Sequence, residues 1–271
     1  MVAISIGRPA TGSHRHAGSA FWGALLRAVF GGRPKSAGRP RVTRQRRGLK
    51  HATLTSREAA ASLRAMTYRQ LNAAQLRVTI TDIEPPIWRQ LIVPLTWDLG
   101  MLHLVIQAAF NWWNSHLHEF QIGGLSYGDP DVINEFGSEE HRAFSENEVR
   151  LCDFRREPGL MFIYNYDFGD NWNHLVEIED FLAFDLVPRF ATCIAGARAR
   201  PPEDVGGVSG YENFLAVMAD PTHEDHRSTK TWAGGYFDPE WFDLALVDND
   251  VKKALKQNVR RRLHQPKPKR P

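Results

Sequence analysis

The chain predicts an α+β fold: a mainly antiparallel sheet with one inserted helix, followed by a C-terminal group of helices packed on it. Three observations carry that expectation. Alternating and β-branched runs crowd into residues 76–180, interrupted by a single stretch of helical periodicity that starts at Leu99. Beyond residue 200 the pattern turns helical, punctuated by capping residues and a Gly pair. Both ends are basic and aperiodic. The domain is therefore expected over 69–257, with 1–68 a disordered basic extension and 258–271 a basic disordered tail.

Taken in order, residues 76–83 alternate cleanly as a strand and break at Glu84-Pro85-Pro86. A second strand spans 87–93. Thr96 or Asp98 is placed to cap a helix whose Leu99, Leu102, Ile106, Ala109 and Phe110 share one core-facing stripe. Residues 116–122 form the next strand, turned at Gly123-Gly124 into 125–129; the acidic stretch 130–147 reads as a surface loop and 149–154 as a further strand. Residues 161–166 and 172–180 flank Gly169 as a hairpin. Clustered Pro and Gly over 200–207 imply a fixed, irregular backbone. Ser209 to Glu212 has the pattern of a capping box opening a helix that buries Tyr211, Phe214, Leu215 and Met218. Another helix starts near Pro221 and ends at Gly234-Gly235. The last is opened by Asp238-Pro239, with a break near 248–250.

The formal charge of +3 hides a segregation: residues 1–70 carry +13, residues 71–250 carry −19 and residues 251–271 carry +9. So acidic a body repels phosphate backbones, leaving nucleic-acid contact to the basic tails. The early apolar run 20–26 is interrupted by Arg27, far short of the roughly 20 residues of a membrane span. Cys152 and Cys193 make neither a disulfide framework nor a CxxC pair; they read as buried thiols in a reducing cytoplasm. The Arg-rich, acid-poor start also has the composition of a transit peptide, and Met66 is an alternative start. Gly206-Gly207 lacks the Lys-Ser/Thr that a phosphate loop needs. Trp88, Trp112, Trp113, Trp172, Trp232 and Trp241 lie at element ends and predict core positions over a base-stacking surface.

The hairpin carries the densest set of polar groups. With a loop of two or four residues around Gly169, pairing sets Asp167 opposite Trp172 and Asn165 opposite His174, which brings Asp167 and His174 onto one face. Asn165, Asp167, Asp170, Trp172 and His174 then form a candidate binding face, with Glu203 and Asp204 on its rim. His116, His118, Asp167 and His174 are candidate ligands for a divalent metal, since zinc, manganese and iron accept imidazole and carboxylate, and His116 and His118 point the same way on a strand. The alternative is that Asp167 and Asp170 shape the turn while His174 is a satisfied sheet residue.

Five stretches resemble the plasmid pRiA ORF-three-like family: 83–89, 116–120, 166–174, 201–211 and 237–243. The resemblance spans about residues 70–256. It implies an α+β module found on plasmids, in transposon-linked passenger genes and in chromosomes, with no established biochemical activity. Family members often carry Cys just before Pro201-Pro202-Glu203-Asp204, where this chain has Arg200, which weakens any thiolate site built on Cys193. The expected function is accordingly an accessory or binding module of a mobile-element-associated family, non-catalytic and docking a protein partner. The alternative is a metal-dependent hydrolase using a His/Asp site at the 167–174 hairpin.

Overall fold

The computed structural model of the chain describes residues 71–136, 142–154, 159–256 and 260–268; the expectations for residues 1–68 lie outside them. The elements are β1 (Ala73–Ile80), β2 (Trp88–Pro94), α1 (Leu99–Phe110), β3 (His118–Ile122), β4 (Leu125–Gly128), α2 (Pro130–Phe136), β5 (Ala143–Ser145), β6 (Met161–Tyr166), β7 (Trp172–Leu182), β8 (Thr192–Ala197), α3 (Gly207–Ala219), α4 (His226–Trp232) and α5 (Leu244–Val251). The eight strands form one sheet in the order β5-β4-β3-β6-β7-β1-β2-β8. Every pair is antiparallel except β4 with β5. The predicted fold class is the observed one. No helix among the described residues is long and apolar enough to cross a membrane.

β7 shows how sequence period sets the core. Trp172, His174, Val176 and Ile178 alternate inward, and a bulge opposite Gln75/Leu76 then shifts parity so that Phe181 is buried as well. α1 lays Leu99, Leu102, Val105, Ile106 and Phe110 into the same core. Asp98 caps it, its Oδ1 accepting from the Met101 N–H at 2.7 Å, and Asn111 closes it in the left-handed conformation at φ 59°. Asp98→Ala is expected to cost about 1 kcal/mol in urea unfolding, the usual worth of a capping carboxylate.

Four local expectations are corrected. Residues 130–136 form α2, because Pro130 takes the first helical position and Asp129 Oδ1 accepts from the Asp131 N–H at 3.0 Å. Residues 149–154 pair only through an isolated antiparallel bridge, Arg150 with Asp98, because the chain then coils into a 3₁₀ turn, Leu151–Asp153, and ends the pairing. α3 begins at Gly207 behind Gly206, which puts Ser209 inside the first turn and leaves the capping box unmade. α5 is capped by Asp243 and runs unbroken through 248–250, while Asp238-Pro239 makes only a turn closed by the Trp241 N–H on the Asp238 carbonyl.

Residues 260–268, expected to fray into solvent, lie along the body. The Asn111 side chain donates to the Arg262 carbonyl at 2.8 Å and accepts from its N–H at 3.1 Å. The Arg262 guanidinium reaches Asp250 at 2.5 Å.

Candidate functional site

The hairpin is paired one residue away from the expected register: Tyr166 faces Trp172, Asn165 faces Asn173 and Tyr164 faces His174. Five residues, 167–171, form its loop. Asp167 and Asn171 both take left-handed backbone, at φ 59° and 56°, and the Asn171 N–H closes on the Asp167 carbonyl at 2.6 Å. The Asp167 Oδ1 accepts from the Gly169 and Asp170 N–H groups at 3.0 and 3.3 Å. An odd loop reverses the parity argument, so Asp167 and His174 do not share a face.

His174 is fully buried. The Trp112 indole N–H donates to its Nε2 at 3.1 Å, so the ring proton sits on Nδ1 and points at the Trp172 carbonyl, 2.9 Å away. Burial pushes its pKa down to about 4. With both nitrogens engaged, it has no lone pair for an ion. Trp172 is likewise core, packed 5.7 Å from Trp112, and its indole N–H has no partner among the described residues. Asn165 spends its amide N–H groups on Asn171 and Asn173.

His118 belongs to a different network. The strand starts at His118, so His116 precedes it and the expected shared direction does not apply. The His118 ring stacks on His103 at 3.5 Å, and its Nε2 lies 2.8 Å from Glu146. His103 in turn meets the Tyr164 hydroxyl and the Asn114 amide oxygen, at 2.8 and 2.6 Å, and burial holds its pKa well below the ordinary histidine range.

The structure does gather four of the named residues. His116 Nδ1 lies 3.6 Å from Asp167 Oδ2, while its Nε2 lies 3.3 Å from Asp204 and 3.8 Å from Glu203. Ligand atoms of His116, Asp167 and Asp204 all fall within 4.8 Å of one another. Asp170 joins the two loops, its Oδ2 accepting from the Gly206 N–H at 3.1 Å. That approach requires glycine at 207, where φ is +69° and a Cβ would stand 2.6 Å from the Asp170 carbonyl oxygen. Glu203 is buried and accepts from the Trp113 N–H at 2.5 Å. Burial raises its pKa, opposed by the neighbouring Arg200 charge. The Arg200 guanidinium lies 4.8 Å from the Trp112 ring centre and places a part-buried cation beside Glu203. An imidazole flanked by carboxylates can hold a cation or pass a proton.

Glu203 and Asp204 also edge a cavity of about 290 Å³. Trp113, Trp232, Phe237 and Trp241 line it, so these three tryptophans are wall residues where core had been expected; Trp232 is 46% exposed. Residues 262–266 line the cavity as well.

A family model described as plasmid pRiA4b ORF-3-like protein matches residues 72–246, from β1 into α5. The chain belongs to that family. Among relatives, the uncharacterized protein y4hQ of Sinorhizobium fredii is 39% identical over 165 residues, covering 60% of this chain and 81% of its own. The crystal structure of a protein of unknown function, MM3350 from Methanosarcina mazei Go1, aligns with a TM-score of 0.56 at 37% identity, covering 65% of this chain and 97% of that one. The match to the pRiA4b ORF-3-like family takes in His116, Asp167, Glu203 and Asp204, whereas residues 260–268 lie beyond it.

Proposed function

We propose that this pRiA4b ORF-3-like chain is a non-catalytic binding module that docks a basic, extended segment of a protein partner in the aromatic groove. The observation that carries this reading is the seat already taken by residues 260–268. This stretch holds Arg260, Arg261, Arg262 and Lys267, and Arg262 to Pro266 run along the groove. Its main chain is read by a side-chain amide, Asn111, through the two bonds at Arg262. Its Gln265 bonds the Asp238 backbone both ways, at 2.7 and 2.6 Å. Amide groups that read backbone recognise an extended strand by shape, and aromatic walls accept the aliphatic stems and charged heads of Lys and Arg. The net −19 of residues 71–250 draws the same kind of segment. A recombinase or another DNA-bound protein fits that chemistry.

A chain truncated after residue 259 should bind a fluorescent peptide of sequence 260–268 saturably in anisotropy titrations. The full chain should bind it at least tenfold more weakly, since its own segment competes at high effective concentration. Equal affinity for both chains, or no saturable binding by the truncated one, would sink the proposal.

A further inference from the structure

We infer that His116 and Asp204, with Asp167 and Glu203 behind them, form a binding site for one divalent transition-metal ion of the zinc class. Three separate chain segments deliver these groups: the connection before β3, the hairpin loop and the 203–206 loop. Nε2 is the ligating nitrogen, because it faces both Asp204, at 3.3 Å, and Glu203, at 3.8 Å. Ligands about 2.1 Å from a tetrahedral ion sit roughly 3.4 Å apart, so the His116–Asp204 pair already has the spacing of two ligands. The Nδ1–H then points at Asp167, 3.6 Å away, the place of the outer carboxylate that fixes the tautomer of a ligating histidine.

The groups are held before any ion arrives. Asp167 is fixed through Oδ1 by its own turn, leaving Oδ2 to the imidazole. Glu203 is anchored by the Trp113 N–H, and Asp170 fastens the hairpin to Gly206. The Arg200 cation beside Glu203 offsets one of the three carboxylates around the imidazole, and the negative charge that remains is what a divalent ion neutralises. Nitrogen in the donor set selects zinc, cobalt or nickel over magnesium and calcium. An ion here would tie the connection before β3, through His116, to the loop carrying Glu203 and Asp204, and so stiffen one edge of the groove.

The test is calorimetric titration of the chelator-stripped full chain with zinc chloride. One equivalent should bind, and magnesium chloride should give no binding heat at the same concentrations. Asp204→Asn is the decisive variant: the side chain is 62% exposed and its backbone sits at φ 56°, which Asn adopts readily, so the fold is kept while a ligand charge is lost. It should weaken zinc at least tenfold, as should His116→Ala, with matching loss of the visible cobalt(II) absorption. His118→Ala should leave the affinity unchanged. Zinc affinity in Asp204→Asn equal to wild type would place the metal elsewhere, for instance on histidines of the basic extension, and overturn the assignment. Absence of uptake by the wild-type chain would do the same.

Discussion

Replacing Arg89 with methionine is expected to lower the unfolding free energy by about 3–5 kcal/mol, the cost of leaving several buried carbonyl acceptors without a donor. Arg89 is 2% exposed and lies on β2 under the end of α1. Its Nε–H donates to the Ala109 carbonyl at 3.0 Å, Nη1 to Trp88 and Ala197 at 2.7 and 2.8 Å, and Nη2 to Arg198 at 2.9 Å. The guanidinium is flanked by the rings of Phe110 and Phe242, at 4.9 and 4.6 Å. Desolvation drives its pKa down to about 10, and among the described residues it has no carboxylate partner. Four carbonyls from the end of α1, β2, β8 and the following turn thus converge on one donor. Methionine fills much of the volume but leaves those acceptors bare, at about 1–3 kcal/mol for each that water cannot reach. Arg89→Lys should recover only part of the loss, since an ammonium with three donors cannot span four acceptors. Urea titration measures both; a loss below about 1 kcal/mol for Arg89→Met would mean that the carbonyls find other donors.

The same residue shows where sequence reading stops. Ile83 to Arg89 stood out as a motif, and β2 was legible from its alternation, but no local pattern says that a strand arginine will face four carbonyls drawn from three elements. Elements whose burial matches their own period are legible: β1, β2, the hairpin strands and α1, for which sequence leaves Thr96 and Asp98 as alternative caps and the structure selects Asp98. α2 and the Leu151–Asp153 turn were missed because short acidic segments bury too few residues to print a period. The hairpin register turned on whether the loop has an even or odd count. Asp167 and Asn171, residue types tolerant of left-handed backbone, were the available signal that the turn reaches 171. Of the site, His116, Asp167, Glu203 and Asp204 were each legible as chemistry. Their union depends on the Asp170–Gly206 bond across 36 residues, a tertiary fact. The groove was hidden for the opposite reason: the charge density of residues 260–268 reads as a solvated tail, whereas Asn111 and Asp250 dock it.

Stability should fall as pH drops from about 6.5 to about 4.5, before most carboxylates titrate, because His174 and His103 are held neutral in the fold. In the folded chain His174 is neutral, fixed by the Trp112 donor on one side and the Trp172 carbonyl on the other, and its pKa lies at about 4. In the unfolded chain an ordinary histidine takes a proton near pH 6.5. The folded value is the lower one, so the unfolded state binds more protons throughout the window and stability rises with pH there. Its contribution is complete above about pH 6.5 and is lost as pH falls toward 4. A gap of roughly two and a half pH units, at 1.36 kcal/mol each, amounts to about 3 kcal/mol over the whole range. His103, held low mainly by its own burial, acts in the same direction. Urea unfolding at pH 7.0, 5.5 and 4.5 should therefore show a midpoint that declines steeply. His174→Gln, which keeps an oxygen acceptor for the Trp112 N–H but does not titrate, should flatten that decline without abolishing it, because His103 remains. A wild-type midpoint that stays constant from pH 7.0 to 4.5 would mean that His174 already carries its proton in the folded state, and the Trp112 N–H could then not be its donor.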